Sequence, residues 1–262
     1  MIPFFFVGSR RSGTTLVCHI VNYHPKLYTP FERYIMWILH CIKTTNGVIS
    51  RPSCGALAPM LITLEQSGKA FLHYLQSDRG SAAACTAFFA AIHSCRMRRG
   101  TGKWRNDLVA IGEKNPPEYA SPEMQEFILG ALLEARFIHI VRHPAAVIGS
   151  KMHYASRRAT DGRRDVPLVW KVALEANYRT WIQIEQWVLK IDAPVLTIRY
   201  EDLIANPVDE AHELYEFLGV SSTDYIDRRI KHNVKESGNS KYDLSVIDID
   251  GLPEMMDLYG YE

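Results

Sequence analysis

Residues 4–17 read FFFVGSRRSGTTLV, and the rest of the chain is organised around this stretch. Apolar residues end at Gly8, four polar residues follow, and Gly13 precedes a segment, residues 14–23, with the apolar spacing of a helix. The pattern predicts a buried strand, a tight loop and a helix N-terminus. Free backbone N–H groups and the helix dipole bind anions at such a terminus. The stretch therefore predicts a phosphate-binding loop.

The type of loop is indicated by its cations. The loop of nucleoside triphosphatases reads G-x-x-x-x-G-K-[ST], with a lysine for the β- and γ-phosphates. Gly8 and Gly13 have that spacing, but Thr14 occupies the position of the lysine, and a cation comes earlier, at Arg11. Glycines allow close approach of a ligand, and hydroxyl groups add donors. The phosphate ligands predicted in this loop are Arg10, Arg11, Ser12, Gly13, Thr14 and Thr15.

Length and composition limit the class of protein. At 262 residues the chain can form one large domain, and two full domains are not expected. The formal net charge of +1 provides no global attraction to nucleic acid or to an anionic membrane, so anion recognition must be local. Five cysteines without a C-x-x-C pair argue against a disulfide framework or a zinc site. No apolar run has the length of a membrane span, and we expect a soluble, cytoplasmic protein.

Strand and helix patterns alternate along the chain, which predicts an α/β fold: a P-loop-like, three-layer α/β/α arrangement around a central parallel sheet. Residues 44–103 interrupt the alternation and are interpreted as a helical insertion into a single domain, residues 1–262. The tail after residue 230 is expected to be irregular. The predicted strands are residues 2–7, 109–112, 137–141 and 195–198, and the predicted helices outside the insertion are residues 14–23, 31–42, 122–133, 144–153, 167–191 and 207–218.

A second anion site is predicted where the strand at residues 137–141 ends. Arg142 follows this strand, and Pro144 suits the first position of a new helix. Ser150 lies eight residues beyond Arg142, in the second turn of that helix, where its hydroxyl would share an anion with the guanidinium group. Ligands of open parallel sheets bind at the carboxyl ends of strands. A bidentate guanidinium suits a terminal phosphate, whereas the alternative role for Arg142 is a surface ion pair.

Both segments resemble the sulfotransferases that use 3′-phosphoadenosine 5′-phosphosulfate, in particular the tyrosylprotein and bacterial enzymes. The sequence R-S-G-T-T at residues 11–15 resembles their 5′-phosphosulfate loop. The pattern R-x-P followed by five residues and serine, from Arg142 to Ser150, is similar to their 3′-phosphate motif. The resemblance implies that the two segments bind the two ends of this co-substrate.

The resemblance also implies a general base. His24-Pro25 and then Glu32 follow Gly13 at spacings similar to those of the tyrosylprotein enzymes, in which the glutamate takes the proton of the acceptor. Residues 34–39 are largely apolar, and apolar surroundings would make a carboxylate a stronger proton acceptor. The alternative role for Glu32 is a structural ion pair with Arg33 or another arginine.

Three further segments match more weakly. The sequence GEKNP at residues 112–116 resembles the lysine-proline motif, which implies that Lys114 contacts the transferring sulfonate; the alternative is a surface lysine in a turn. RYEDL at residues 199–203 resembles a segment whose tyrosine, here Tyr200, lies beside the nucleotide, although a core tyrosine is nearly as good an interpretation. Residues 237–242 resemble a C-terminal loop that closes over the nucleotide, with Ser237 and Lys241 as contacts.

The resemblance implies transfer of a sulfonate group, by in-line displacement, to a hydroxyl or secondarily an amine of a small-molecule or peptide acceptor. Glu32 would take the proton, and Arg11 and Lys114 would stabilise negative charge on the sulfonate and on the leaving phosphate. No metal ion is expected. A small-molecule kinase is one alternative, but it requires a lysine at position 14 and an acidic metal ligand. A non-catalytic nucleotide-binding protein is the other, disfavoured by Glu32 together with Lys114.

Two segments are left with two interpretations each. The insertion at residues 44–103 either shapes the acceptor site or caps the domain without contacting substrate. The basic loop at residues 157–164 is either solvated or a lid over the nucleotide or an acidic acceptor.

Overall fold

A computed structural model describes residues 1–45, 57–97, 107–158, 167–235 and 248–261 of the protein. In these ranges a single sheet of five parallel strands forms the centre, in the order β2-β3-β1-β4-β5. The strands are β1 (Ile2–Val7), β2 (Leu27–Tyr28), β3 (Ala110–Lys114), β4 (Arg136–Val141) and β5 (Val195–Arg199).

Helices connect and cover the strands. They are α1 (Thr14–Tyr23), α2 (Ile35–Thr44), α3 (Leu57–Gln76), α4 (Ser81–Met97), α5 (Pro116–Tyr119), α6 (Pro122–Ala131), α7 (Pro144–Arg158), α8 (Pro167–Val188), α9 (Tyr200–Ala205), α10 (Pro207–Phe217), α11 (Asp224–Asn233) and α12 (Leu252–Leu258).

The sheet is buried on both faces, which explains the uninterrupted apolar run of β1. Phe5 and Val7 point into a core formed with α2, α4 and α6, whereas Phe4 and Phe6 point into a second core formed with α1, α10 and α11. A strand buried on both faces needs apolar residues at every position, because successive side chains alternate between the faces. The predicted three-layer α/β/α fold is confirmed.

The strand order determines where a ligand can bind. From β1 the chain proceeds to β2 and β3 on one side of β1, and then crosses to β4 and β5 on the other side. Such a change of direction leaves a crevice at the carboxyl ends of the strands. The loop after β1, which contains the predicted phosphate ligands, opens into this crevice.

The structure differs from the predicted elements in several places, and the helices α5, α9 and α11 are among the elements that were not predicted. The helix expected from residue 31 begins at Ile35, because Phe31 forms a β-bridge to Lys114 and holds the preceding residues beside the sheet. The two-residue strand β2 was not predicted, and neither was α12, since the tail after residue 230 was expected to be irregular. The insertion contains the two helices α3 and α4, which pack against each other and against α2.

No disulfide bond joins the described cysteines, Cys18, Cys41, Cys85 and Cys95. Among the helices in the described ranges, none combines the length and the apolar character that a membrane-crossing segment requires. The cytoplasmic location stays a prediction.

Candidate active site

A cleft of about 940 Å³ lies at the carboxyl ends of four neighbouring strands, β3, β1, β4 and β5. Each of these strands brings at least one polar side chain to it, at its last residue or in the segment that follows. Residues far apart in sequence are thereby brought together. The predicted site residues that line the cleft are Arg10, Arg11, Gly13, Thr14, Thr15, Glu32, Lys114, Arg142, Ser150 and Tyr200.

The loop between β1 and α1 has the conformation of an anion site. Gly13 adopts φ +100° and Arg11 φ +78°, so the backbone turns sharply before the helix. The first helical hydrogen bond runs from Leu16 N to Gly13 O at 2.9 Å, which leaves the amides of Thr14 and Thr15 without a helical acceptor. These amides lie at the positive end of the helix dipole, where negative charge is stabilised.

Gly13 is required for a steric reason that the sequence did not show. A Cβ atom at this position would lie 2.3 Å from the Tyr200 ring, which closes over the loop from the end of β5. The Ser12 hydroxyl is fully buried and has no hydrogen-bond partner among the described residues. A buried hydroxyl without a partner is costly, and an anion oxygen bound by the loop would provide one.

Arg11, Arg142 and Ser150 form one connected group. The Arg11 Nε donates to Ser150 Oγ at 3.0 Å, and the Arg142 Nη1 donates to the Arg11 carbonyl at 3.2 Å. The Arg142 guanidinium carbon lies 4.2 Å from the centroid of the Tyr200 ring, a cation–π contact that fixes the plane of the guanidinium. Arg142 and Ser150 are 6% and 3% exposed, so a strand-end surface ion pair does not describe Arg142.

Glu32 and Lys114 form an ion pair on the opposite wall of the cleft. The Lys114 Nζ donates to Glu32 Oε1 at 2.7 Å; the lysine side chain is 3% exposed and the glutamate side chain 43%. The β-bridge of Phe31 to Lys114 places the two residues side by side. The prediction that Glu32 lies in apolar surroundings is therefore wrong, because its carboxylate is half-exposed and pairs with a cation. Lys114 is buried, not a surface lysine in a turn.

Arg10 lies at the rim of the cleft. Its Nη2 donates to the Tyr34 hydroxyl at 3.3 Å and to the Glu118 carboxylate. Arg11, Glu32 and Tyr34, all at or beside the cleft, have positive φ angles, a conformation that costs free energy in non-glycine residues. Such strained residues cluster at functional sites.

Glu113 precedes Lys114 in β3 and connects this strand to the start of α2, just after Glu32. It was not identified as a site residue from the sequence. Its carboxylate is fully buried and accepts hydrogen bonds from Met36 N at 3.2 Å, from Ile35 N and from the Tyr119 hydroxyl. Burial raises the pKa of Glu113 to about 7, and these donors act in the opposite direction. The network fastens the start of α2, and with it the strained turn that carries Glu32, to β3. A charged residue inside an apolar strand was the available signal.

Four other polar residues in the cleft were missed: Lys151, Asn177, Asn233 and Lys235. Burial, and secondarily Arg10, lowers the pKa of Lys151 to about 8. Lys151 follows the predicted Ser150, which was a weak signal. The other three come from α8 and from the end of α11, and only the packing of these helices brings them to the cleft.

Some predicted residues lie elsewhere or outside the described part of the chain. Ser237 and Lys241 lie outside the described residues, as do the side chains of the basic loop at residues 157–164. His24 is not in the cleft: its Nε2 donates to Ser221 O at 3.1 Å and its Nδ1 accepts from Lys26 N at 3.2 Å. No described residue of α3 or α4 lines the cleft. Within the described ranges there is no group of three His, Cys, Asp or Glu side chains arranged to hold a metal ion.

Solved structures with the same fold include two sulfotransferase domains. One is from the curacin biosynthetic pathway, at a TM-score of 0.61 and 17% identity, covering 99% of this chain and 97% of that one. The other is from the olefin synthase of Synechococcus PCC 7002, at 0.62 and 16%, covering 100% and 95%. At these identities the likeness concerns the fold.

Sequence comparisons identify the family. A carbohydrate sulfotransferase 1 of Danio rerio is 23% identical over an alignment of 220 residues, which covers 76% of this chain and 46% of the relative. The chain thus matches about half of the length of that curated relative. The sequence profile of the Sulfotransferase family matches residues 3–224, most of the chain and every strand of the sheet. The chain belongs to the sulfotransferase family.

Proposed function

We propose that the protein transfers the sulfonate of 3′-phosphoadenosine 5′-phosphosulfate to a hydroxyl group of an acceptor. One observation carries the proposal: a single cleft contains a phosphate-type loop, a buried arginine–serine pair and a carboxylate bound to a buried lysine. These are the groups needed to hold both ends of this nucleotide and to activate a hydroxyl.

The nucleotide would bind along the group formed by Arg11, Arg142 and Ser150. The loop amides and Arg11 would hold the 5′-phosphosulfate, as the N-terminus of α1 favours negative charge. Arg142, with Ser150, would hold the 3′-phosphate through a charge-assisted contact. The Tyr200 ring packs against the Arg142 guanidinium and lies beside Gly13. It would form one wall of the nucleotide site.

The chemistry would be a direct displacement at sulfur. The acceptor oxygen attacks the sulfur, the bond from sulfur to the phosphate oxygen breaks, and adenosine 3′,5′-bisphosphate leaves. Glu32 would take the acceptor proton, while Lys114 and Arg11 would stabilise negative charge on the sulfonate and on the leaving phosphate. The Glu32–Lys114 pair at 2.7 Å supports this scheme, because the proposed base and the proposed cation would reach the same group. No metal ion takes part in this scheme.

The acceptor would be a small molecule or a peptide with a hydroxyl group, and an amine is the second choice. Glu32 is half-exposed on the cleft wall, beside Arg10 and Pro116, so an acceptor can reach it from solvent. The predicted role of the insertion in shaping the acceptor site stays a prediction.

We expect adenosine 3′,5′-bisphosphate to raise the melting temperature, and adenosine triphosphate with magnesium to do so far less. The reason is the proposed 3′-phosphate site, together with threonine in place of the Walker lysine. At one hundred times its Kd a ligand stabilises by about 2.7 kcal/mol, which corresponds to roughly 5–10 °C for a chain of this size. Differential scanning fluorimetry measures the shifts. Equal shifts with the two nucleotides would favour the kinase alternative.

Replacement of Arg142 tests the 3′-phosphate assignment directly. Arg142→Ala removes a charge-assisted contact worth roughly 1.5–3 kcal/mol, so affinity for adenosine 3′,5′-bisphosphate should fall about ten- to a hundredfold. Affinity for adenosine 5′-phosphate should change much less, because that nucleotide has no 3′-phosphate. Isothermal titration calorimetry provides both constants. Unchanged affinity with a sharply lower melting temperature would assign Arg142 a structural role.

A further inference from the structure

The two residues on which nucleotide recognition depends in the proposed function, Arg142 and Tyr200, follow neighbouring strands. β4 and β5 are paired in parallel register, with Val141 opposite Arg199, so their next residues face each other. The Arg142 guanidinium and the Tyr200 ring are in contact at 4.2 Å. A shift of one strand end against the other would separate them.

The residues that come next in each segment, His143 and Glu201, tie these strand ends together. Glu201 Oε1 accepts a hydrogen bond from His143 N at 3.1 Å. The carboxylate therefore lies at the start of α7, where the helix dipole also favours negative charge. A carboxylate has two oxygens, and its orientation is defined only when both are held.

The second oxygen is held by Tyr261, which comes from a distant part of the chain. The Tyr261 hydroxyl donates to Glu201 Oε2 at 2.8 Å, and its ring packs edge-on against the His143 ring at 5.3 Å between centroids. The Arg199 guanidinium carbon lies 4.7 Å from the centroid of the same ring, and its Nη2 donates to Gly260 O at 3.2 Å. Tyr261 is 6% exposed, so this contact is buried.

We infer that Tyr261 is a positioning residue for the nucleotide site, acting through Glu201 and His143 on Arg142. Tyr261 does not line the cleft. Its hydroxyl fixes the Glu201 carboxylate, the carboxylate fixes the first amide after Arg142, and the guanidinium is thereby kept over Tyr200. Burial and the neighbouring Glu201 carboxylate raise the pKa of Tyr261, so the hydroxyl remains a donor at neutral pH.

The inference rests on the proposed function and is tested by the preference for a 3′-phosphate. The measured quantity is the ratio of the Kd of adenosine 5′-phosphate to the Kd of adenosine 3′,5′-bisphosphate. Tyr261→Phe, which keeps the ring and removes the hydroxyl, should lower this ratio about three- to tenfold. This is less than the roughly ten- to a hundredfold of a direct hydrogen bond to a charged group, because Tyr261 acts on the nucleotide only through other residues. A merely structural tyrosine would change the melting temperature and leave the ratio constant.

Tyr259→Phe is the matched control. Tyr259 comes from the same segment, but its ring packs against His139 and Trp181, away from Arg142. It should leave the ratio unchanged. If Tyr261→Phe does not fold, Glu201→Gln keeps the volume of the side chain and is measured in its place, with the same expected decrease.

The double variant with Arg142→Ala tests whether Tyr261 acts on nucleotide preference through Arg142. Because interactions along one chain of contacts are not additive, Tyr261→Phe should cause no further decrease of the ratio there. A decrease of the same size in both backgrounds, or an unchanged ratio in the single variant, would overturn the inference while leaving the proposed function intact. A wild-type protein that binds the two nucleotides equally would instead overturn the nucleotide assignment and, with it, this inference.

Discussion

Turnover of the Glu32→Gln variant should fall about 10²- to 10⁴-fold, the usual contribution of a general base. A hydroxyl that attacks sulfur must lose its proton as the new bond forms, and the amide cannot accept it. The shape of the side chain is kept, so affinity for adenosine 3′,5′-bisphosphate should stay close to that of the wild type. Transfer of labelled sulfonate to phenols, sugars and hydroxyl-containing peptides measures turnover.

Glu123→Gln is the matched control for Glu32. It makes the same chemical change on α6, where the Glu123 side chain is 73% exposed and pairs with His40 outside the cleft. Its turnover should equal that of the wild type. If Glu32→Gln kept turnover within about threefold of the wild type, Glu32 would not be the base. Parallel losses of turnover and nucleotide affinity would show that Glu32 instead holds Lys114 and the loop in place.

The second large effect is expected for Lys114→Met. Methionine has a similar length but no charge, so the variant lacks the cation that we propose to contact the transferring group. Removing one such stabilising group typically costs about 10²- to 10³-fold in turnover. Because adenosine 3′,5′-bisphosphate has no sulfonate, its affinity should fall much less. Single-turnover measurements with the phosphosulfate, beside calorimetry with the bisphosphate, separate the two quantities.

Lys151→Met is the comparison for Lys114. Lys151 lines the same cleft, and its removal changes the charge of the cleft by the same amount. A smaller loss for Lys151→Met is expected, because Lys114 makes the direct contact with Glu32. Equal losses would mean that the overall positive potential of the cleft matters, and that the position of Lys114 does not.

The local sequence pattern was sufficient to predict the main strands and helices of the fold. The strand–loop–helix at residues 2–23 has the predicted bounds, because a fully apolar strand and a glycine at positive φ can be recognised without knowledge of neighbours. The parallel sheet followed from the alternation of strands and helices. The predicted start of α2 was wrong, because Phe31 pairs with Lys114, 83 residues further along the chain. Helix propensity contains no information about such contacts.

The sequence by itself determined the family pattern and the identity of the candidate residues, since Arg11, Glu32, Lys114, Arg142 and Ser150 lie at recognisable distances from strand ends and glycines. Tertiary structure decided what each residue contacts. The Tyr200 ring that requires Gly13, the pairing of Lys114 with Glu32 and the contact of Tyr261 with Glu201 all join segments far apart in the chain. Such contacts depend on strand order and helix packing, which arise when the two apolar faces of the sheet are buried together.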